Sequence, residues 1–162
     1  MKIRKLKNED ASLMLEWMHD PFVVANMRTN FLDRTTDDCL KFINTKDDKN
    51  LHLAIASDDD EYIGTVSLKN IKNDSAEFGI TIRKCAMGKG YSIFAMNEML
   101  AYGFDTLRLK YIYWCVDPEN SRALRFYDKN GFVRVPSTQI KAKLNYSREQ
   151  IENYIWYQAN RT

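Results

Sequence analysis

The stretch from Glu77 to Gly103 decides the fold. It reads EFGITIRKCAMGKGYSIFAMNEMLAYG: an apolar strand over residues 78–82, a basic turn with glycines at 88 and 90, and an apolar helix over residues 91–102. Glycines there let the backbone approach an anion without a Cβ in the way. The helix start has unpaired N–H groups and a partial positive charge. Three basic side chains add formal charge: Arg83, Lys84 and Lys89. The stretch therefore predicts a binding site for an anion such as a phosphate.

A Gly-x-Gly turn alone is weak evidence, because an ordinary strand-to-helix turn has the same form. The turn lacks the Gly-Lys-Ser/Thr ending of a P-loop, and Ile93 breaks the dinucleotide pattern G-x-G-x-x-G. The helix is apolar on most sides, which favours burial against a sheet.

Composition sets the broad class. The 162 residues predict one domain over 1–162, large enough for its own core. The net charge of +2, with acids and bases interspersed, does not favour nucleic-acid binding. Three cysteines without C-x-x-C spacing predict neither disulfides nor a metal site. Reduced thiols, with no apolar leader or membrane span, predict a cytoplasmic location and no membrane association.

The other elements follow from periodicity and turn residues. Strands are predicted at Ile3–Leu6, 51–56, 62–68, 76–82, 107–116 and 132–135, and helices around Leu13–Met18, from Thr36, over 121–130 and from Ser147 onward. A long helix joins the strand ending at Ile82 to the strand at 107–116, which implies a parallel pair. The acidic run Asp58–Glu61 suits a solvated hairpin tip, with cation binding as the alternative. His52 suits a packed side chain.

A second stretch, DPENSRALRFYDKNGF over residues 117–132, also carries chemistry. Asn120, Ala123, Leu124 and Tyr127 are spaced i, i+3, i+4 and i+7, so they share one helix face. The plain interpretation is that Asn120 caps the helix and that the Tyr127 hydroxyl is satisfied by packing neighbours.

Together the two stretches resemble the GNAT superfamily of acyl-CoA-dependent N-acetyltransferases. That family has Gln/Arg-x-x-Gly-x-Gly/Ala at a strand-to-helix turn, followed by a motif similar to Asn-x-x-Ser/Ala-x-x-x-Tyr-x-Lys-x-Gly-Phe. The chain looks most like the branch with ribosomal-protein N-terminal, spermidine and amino-sugar acetyltransferases. The resemblance covers nearly the whole chain. It implies an α/β (α+β) fold: a mixed central sheet of about six to seven strands with a splayed parallel pair, flanked by about four to five helices.

The resemblance also implies that acetyl-CoA, the co-substrate, lies between the splayed strands. Backbone groups of residues 80–82 would hold the pantetheine, N–H groups of residues 88–91 the pyrophosphate, and Asn120 the pantetheine arm near the thioester. The implied cofactor-binding residues are Ile80, Thr81, Ile82, Cys85, Gly88, Lys89, Gly90, Tyr91, Asn120 and Lys129, and no metal is implied.

Cys85 departs from the family pattern, which has Gln or Arg at that position. Lys84 or Arg83 is expected to supply the missing charge. Cys85 as an acyl-accepting nucleophile is disfavoured, because no histidine lies nearby in the sequence.

By the same resemblance, an amine attacks the thioester directly. Tyr127 is the predicted general acid for the thiolate, and Glu77 is the predicted base, acting directly or through water. A base is required because an ammonium of pKa near 10 is mostly protonated at neutral pH.

The predicted acceptor is a primary amine on a small molecule, an amino sugar or a peptide N-terminus. Its pocket is expected from Trp17–Phe31 and Val135–Tyr157. These regions and their surroundings are aromatic and contain Arg28, Arg34 and Lys141, with fewer acids than a polyamine site needs, which favours an amino sugar, either free or nucleotide-linked, or a peptide N-terminus. Two other classes stay open: a non-catalytic GNAT-like module that binds acyl-CoA or a protein, and, less favoured by charge, a small nucleic-acid-binding domain. A homodimer is also left open by analogy.

Overall fold

The fold is described from a computed structural model of residues 1–162. Seven strands form one mixed sheet in the order β1-β2-β3-β4-β5-β7-β6. The strands are β1 Lys2–Lys5, β2 Leu51–Ala56, β3 Tyr62–Lys69, β4 Ser75–Ile82, β5 Tyr111–Val116, β6 Arg134–Val135 and β7 Ile155–Asn160. The α-helices are α1 Ala11–Met18, α2 Pro21–Val24, α3 Thr36–Asn44, α4 Tyr91–Ala101, α5 Ser121–Lys129 and α6 Arg148–Asn153. The predicted mixed sheet with flanking helices is confirmed.

The one parallel pair of the sheet opens along its length. β4 pairs with β5 only from Ser75↔Tyr111 to Glu77↔Tyr113, although β4 continues to Ile82 and β5 to Val116. β4 stays paired with β3 through Ile82, and β5 with β7 through Val116. The two strands therefore diverge beyond Glu77, as predicted, and leave a V-shaped opening.

The sheet is covered on both faces. One core contains Phe78, Trp114 and the buried side of α4, including Met96 and Met99. The other lies under α1 and α3, where the Trp17 indole donates to the Tyr62 hydroxyl at 3.0 Å. The helices thus hold the diverging strands from both sides.

The strand predicted at 107–116 begins later than expected, at Tyr111. Helix α4 continues into a π-helical turn at Tyr102–Thr106, and Arg108 adopts a left-handed φ of 60°. The chain reverses direction over residues 107–110, so these residues do not belong to the strand. Alternation alone could not separate them from the strand.

The helix predicted from Ser147 onward is wrong beyond Asn153. Ser147 does cap α6, accepting from the Gln150 N–H, but the chain then forms β7 between β5 and β6. Trp156 and Tyr157 pack into different clusters on opposite faces of the sheet. A strand buried on both faces has consecutive apolar residues, which resemble a short buried helix in sequence.

The acidic hairpin tip is tied to the first strand. Asp60 forms ion pairs with Lys2 at 3.0 Å, Arg4 at 2.7 Å and Lys7 at 2.5 Å. Hydrogen bonds from Lys7, Lys2 and Arg4 hold the pKa of Asp60 well below its usual range.

His52 packs on Phe42, with ring centroids 4.5 Å apart, as predicted. None of the helices is both long and apolar enough for a transmembrane segment.

Candidate active site

A cleft of about 760 Å³ occupies the opening between β4 and β5. Eight predicted site residues line it: Glu77, Ile80, Thr81, Ile82, Gly88, Asn120, Tyr127 and Lys129. The other four lie outside its lining: Cys85, Lys89, Gly90 and Tyr91. The structure therefore brings the two sequence stretches, 77–103 and 117–132, together in one cleft.

The glycine turn at the cleft has the backbone conformation that its sequence predicts. Gly88 and Gly90 have φ values of 77° and 86°, in the left-handed region where side chains are disfavoured. Gly90 is the N-cap of α4, and no side chain caps this helix. The first N–H groups of α4 are thus free of side-chain partners at the turn.

Arg83 does not supply the charge expected at this turn. Its guanidinium is buried and pairs with Glu16 at 2.5 Å and Glu61 at 2.7 Å, and it also donates to the Tyr62 carbonyl at 3.0 Å. Its charge is used to join α1 to the β2–β3 hairpin. The prediction that Arg83 supplies charge to the glycine turn is therefore wrong. Nearness in the sequence does not show in which direction a side chain points.

Two other cations lie near the turn. The Lys84 ammonium is 4.7 Å from the Phe22 ring centroid, and the Arg122 guanidinium is 5.1 Å from it. Phe22 is 53% exposed, so this group faces solvent. Arg122 also lines the cleft, and the sequence analysis missed it. The Cys85 side chain is exposed.

Tyr127 lies in the cleft wall, in an aromatic cluster. Its ring centroid is 5.3 Å from that of Trp114 and 5.1 Å from that of Tyr157. The residue is 7% exposed, and its hydroxyl, which makes no hydrogen bond within the chain, is not among the fully buried polar atoms and so is accessible from the cleft. Burial raises the pKa of Tyr127 above its usual value, which keeps the phenol protonated. An unpaired, protonated hydroxyl is what a proton donor requires.

The two polar atoms of the Asn120 amide differ in their bonding: one caps a helix and the other has no partner. The Oδ1 atom accepts the Ala123 N–H at 3.1 Å and caps α5, as the plain interpretation proposed. The Nδ2 group has no partner in the chain, and Asn120 lines the cleft.

Glu77 is buried, at 4% exposure, at the point where β4 and β5 separate. Its Oε1 accepts from the Tyr146 hydroxyl and from Lys69 Nζ at 3.4 Å, and its Oε2 accepts from Asn70 Nδ2 at 3.3 Å. A carboxylate has about four lone-pair sites. Three donors leave one site on Oε2 for a further proton or donor.

Tyr146 was missed as a site residue, although it lies in the predicted acceptor segment. The Arg28 guanidinium lies 4.1 Å from its ring centroid and donates to the Asn145 carbonyl at 3.0 Å. Asn145 Nδ2 also donates to Asn70 Oδ1 at 3.1 Å. The C-terminal segment is thereby tied to the floor of the cleft. The aromatic run was the only sequence signal.

Cys115 lies on β5 within the cleft lining. Burial raises the pKa of its thiol to about 11, so it stays protonated near neutral pH. The chain contains no cluster of three or more His, Cys, Asp or Glu side chains suited to a metal ion.

A sheet split between two parallel strands, with a glycine turn at the start of the crossover helix, defines the class of acyl-CoA-dependent transferases. The chain belongs to the GNAT family of acetyltransferases: the family model for the acetyltransferase (GNAT) domain matches residues 1–133. Membership confirms the predicted enzyme class, N-acetyltransferase, and acetyl-CoA as co-substrate.

Several relatives span most of the chain. It is 29% identical over 130 residues to the acetyltransferase PseH of Campylobacter jejuni, covering 80% of both proteins. It is 30% identical over 144 residues to the spermidine N(1)-acetyltransferase of Escherichia coli, covering 82% of this chain and 72% of that protein. The structure of spermidine N-acetyltransferase from Vibrio cholerae in complex with CoA and spermine has the same fold, with a TM-score of 0.80, 22% identity, and coverage of 99% and 95%.

Proposed function

We propose that the cleft between β4 and β5 holds acetyl-CoA and that Tyr127 and Glu77 move the protons as the acetyl group passes to a primary amine. The observation that carries this proposal is the Tyr127 side chain in the cleft wall: its ring is buried, while its hydroxyl makes no hydrogen bond within the chain and stays accessible from the cleft. A hydroxyl that is accessible from the cleft and bonded to no other residue is free to donate its proton to a bound ligand.

The co-substrate is held mainly by backbone groups. Beyond Glu77, the edge of β4 that faces β5 is unpaired, so residues 80–82 offer N–H and C=O groups to the pantetheine arm. The pyrophosphate lies at the turn of residues 88–91, where glycines admit it and the α4 N-terminus attracts it. Asn120 Nδ2 donates to the arm, and Lys129 adds positive charge. Cys85 does not line the cleft and is exposed, so it adds no charge of its own to this site.

In the reaction, the amine nitrogen attacks the thioester carbonyl carbon. A C–N bond forms, the C–S bond breaks, and the sulfur leaves as a thiolate that takes the proton of Tyr127. The excess proton on the acylated nitrogen passes through water to the Tyr127 phenolate and restores the phenol. Burial raises the pKa of Tyr127, but a thiolate buried beside it is destabilised for the same reason, so proton transfer between them stays feasible.

Glu77 is the base, directly or through water. Its remaining lone pair on Oε2 accepts the proton from the incoming ammonium, while Tyr146 and Lys69 hold Oε1. The amine thereby becomes nucleophilic inside the cleft.

The acceptor is a primary amine on a small molecule; a peptide N-terminus is the second possibility. Relatives in Escherichia coli and Vibrio cholerae named for spermidine support a small-molecule amine. Residues 1–162 act as one domain, because β7 lies beyond the matched region at 1–133 yet pairs along all of β5. A homodimer stays a prediction.

Calorimetry with acetyl-CoA, CoA and dephospho-CoA, followed by a thiol-release screen of primary amines, tests this proposal. Micromolar binding with release of CoA by at least one amine supports it. Binding without release by any amine would instead support the non-catalytic module. No binding at millimolar ligand would overturn the assignment of the cleft.

A further inference from the structure

Helix α5 presents a row of cations along the outer edge of the cleft. Arg122, Arg125 and Lys129 are spaced i, i+3 and i+7, so they share one flank of the helix. All three are exposed, and all three line the cleft. Tyr127, which is buried, belongs to the inner face of the same helix. The cleft therefore has a cationic outer edge beside its aromatic wall.

None of the three cations has a carboxylate partner. Asp128 is the only acid of α5, and it forms the only ion pair of this helix, with Arg134 at 2.6 Å. The side chains of Arg125 and Lys129 take part in no hydrogen bond or ion pair within the chain. Like charges at i, i+3 and i, i+4 on a helix repel each other. An anion that lies along the row would relieve this repulsion.

Arg122 ties one end of the row to the glycine turn. Its guanidinium donates to the Met87 sulfur and lies 5.1 Å from the Phe22 ring centroid. A thioether sulfur is a weak acceptor, so a phosphate oxygen is a stronger partner for this guanidinium. Met87 directly precedes Gly88. This end of the row therefore lies at the turn that is proposed to bind the pyrophosphate.

The other end of the row lies beyond the reach of the pyrophosphate. Lys129 follows Arg122 by seven residues, and at 1.5 Å per residue the row extends about 10 Å along the helix. A pyrophosphate held at residues 88–91 does not cover that length, so Arg125 and Lys129 are available to a separate anionic group. CoA has one further phosphate, on the 3′ position of its ribose.

We infer that Arg125 and Lys129 bind the ribose 3′-phosphate of CoA, so that the nucleotide of the donor lies along α5. A phosphate monoester has a charge of about −1.5 to −2 at neutral pH, which two cations balance. Guanidinium groups bind phosphate oxygens through paired donors. Phe126 is half-buried, lines the cleft and follows Arg122 by four residues, so its ring suits stacking by the adenine. This inference rests on the proposed function, because it extends the acetyl-CoA site.

Calorimetry with CoA and dephospho-CoA, which differ only in the 3′-phosphate, tests the inference. We expect the wild type to bind CoA about tenfold more tightly, because two exposed ion pairs form and each contributes up to about fivefold. The double variant Arg125→Gln, Lys129→Gln should lose this preference and bind dephospho-CoA within about twofold of the wild type. Lys41→Gln removes an exposed cation of α3 outside the cleft lining. This matched control should bind both ligands as the wild type does.

Equal affinities of the wild type for CoA and dephospho-CoA would overturn the inference. Equal weakening of both ligands in the double variant would also overturn it, because the two cations would then act on the pyrophosphate. Either result leaves acetyl transfer, measured by thiol release, intact. Adenosine 3′,5′-bisphosphate separates the two proposals, since it has the 3′-phosphate and no thioester. If it binds to the wild type but not to the double variant, and no amine is acetylated, the proposed function fails and the 3′-phosphate site stands.

Discussion

Replacing Tyr127 by Phe removes one oxygen atom from the cleft wall and little else. The ring remains packed on Trp114 and Tyr157, and the lost hydroxyl has no hydrogen bond to another residue. No partner is left unsatisfied, so the free energy of unfolding should change by less than about 1 kcal/mol. Any large loss of activity would then come from chemistry and not from unfolding.

The expected loss is that of a positioned proton donor. Such groups contribute about 10²- to 10⁴-fold in rate, or roughly 3–5 kcal/mol of activation free energy. A water molecule can replace the phenol as a weaker proton donor, so we expect kcat to fall at least about tenfold. The affinity for acetyl-CoA should stay within about twofold, because the pantetheine and pyrophosphate contacts are made elsewhere.

Steady-state thiol release and calorimetry measure these two quantities. Tyr157→Phe is the matched control, because its ring lies in the same cluster while its hydroxyl donates to Asp128 at 2.9 Å, away from the cleft. That variant should lose about 1 kcal/mol of stability and keep its kcat. A Tyr127→Phe enzyme with kcat unchanged would refute the role of Tyr127, as would equal losses in both variants.

Three further perturbations test other parts of the site and the fold. Tyr146→Phe removes a donor from the buried Glu77 carboxylate, and we expect denaturant titration to show a loss of about 1.5–3 kcal/mol, with a lower kcat/KM in the thiol-release assay. Gly88→Ala forces a side chain into a φ of 77° and should cost about 1–2 kcal/mol while weakening acetyl-CoA binding in calorimetry; Gly131→Ala, at 79° outside the cleft, should cost the same and leave binding unchanged. Asp60→Asn removes a carboxyl whose pKa is lowered by three cations, so it should lower Tm at pH 7; wild type loses this stabilisation only as the pH falls below about 4, where the Tm difference should shrink.

The sequence predicted best those features of the fold that depend only on residues close together in the chain. The β4–turn–α4 unit follows from an apolar run and two glycines that must adopt positive φ. The end of α5 follows from Gly131, whose φ is 79°. Local chemistry alone decides these features.

The missed parts depend on partners far away in the chain. Arg83 reads as a cation beside the glycine turn, yet Glu16 and Glu61 determine its direction. Tyr146 enters the site only because its segment folds back to Glu77, which precedes it by 69 residues. Pairing over such distances leaves no trace in spacing or periodicity.

The position of β7 has a consequence for synthesis of the protein. Ile155–Asn160 pairs along all of β5 and brings Tyr157 against Trp114, with the two rings stacked 5.6 Å apart. In a nascent chain that ends before β7, one full edge of β5 is unpaired. An unpaired strand edge can pair with other chains and lead to aggregation. The aromatic cluster around Tyr127 is likewise incomplete until Tyr157 has emerged from the ribosome. Translation must therefore pass β7 before Tyr127 acquires its surroundings. A chain that stalls near residue 150 should be inactive and should be a target for chaperones and proteases.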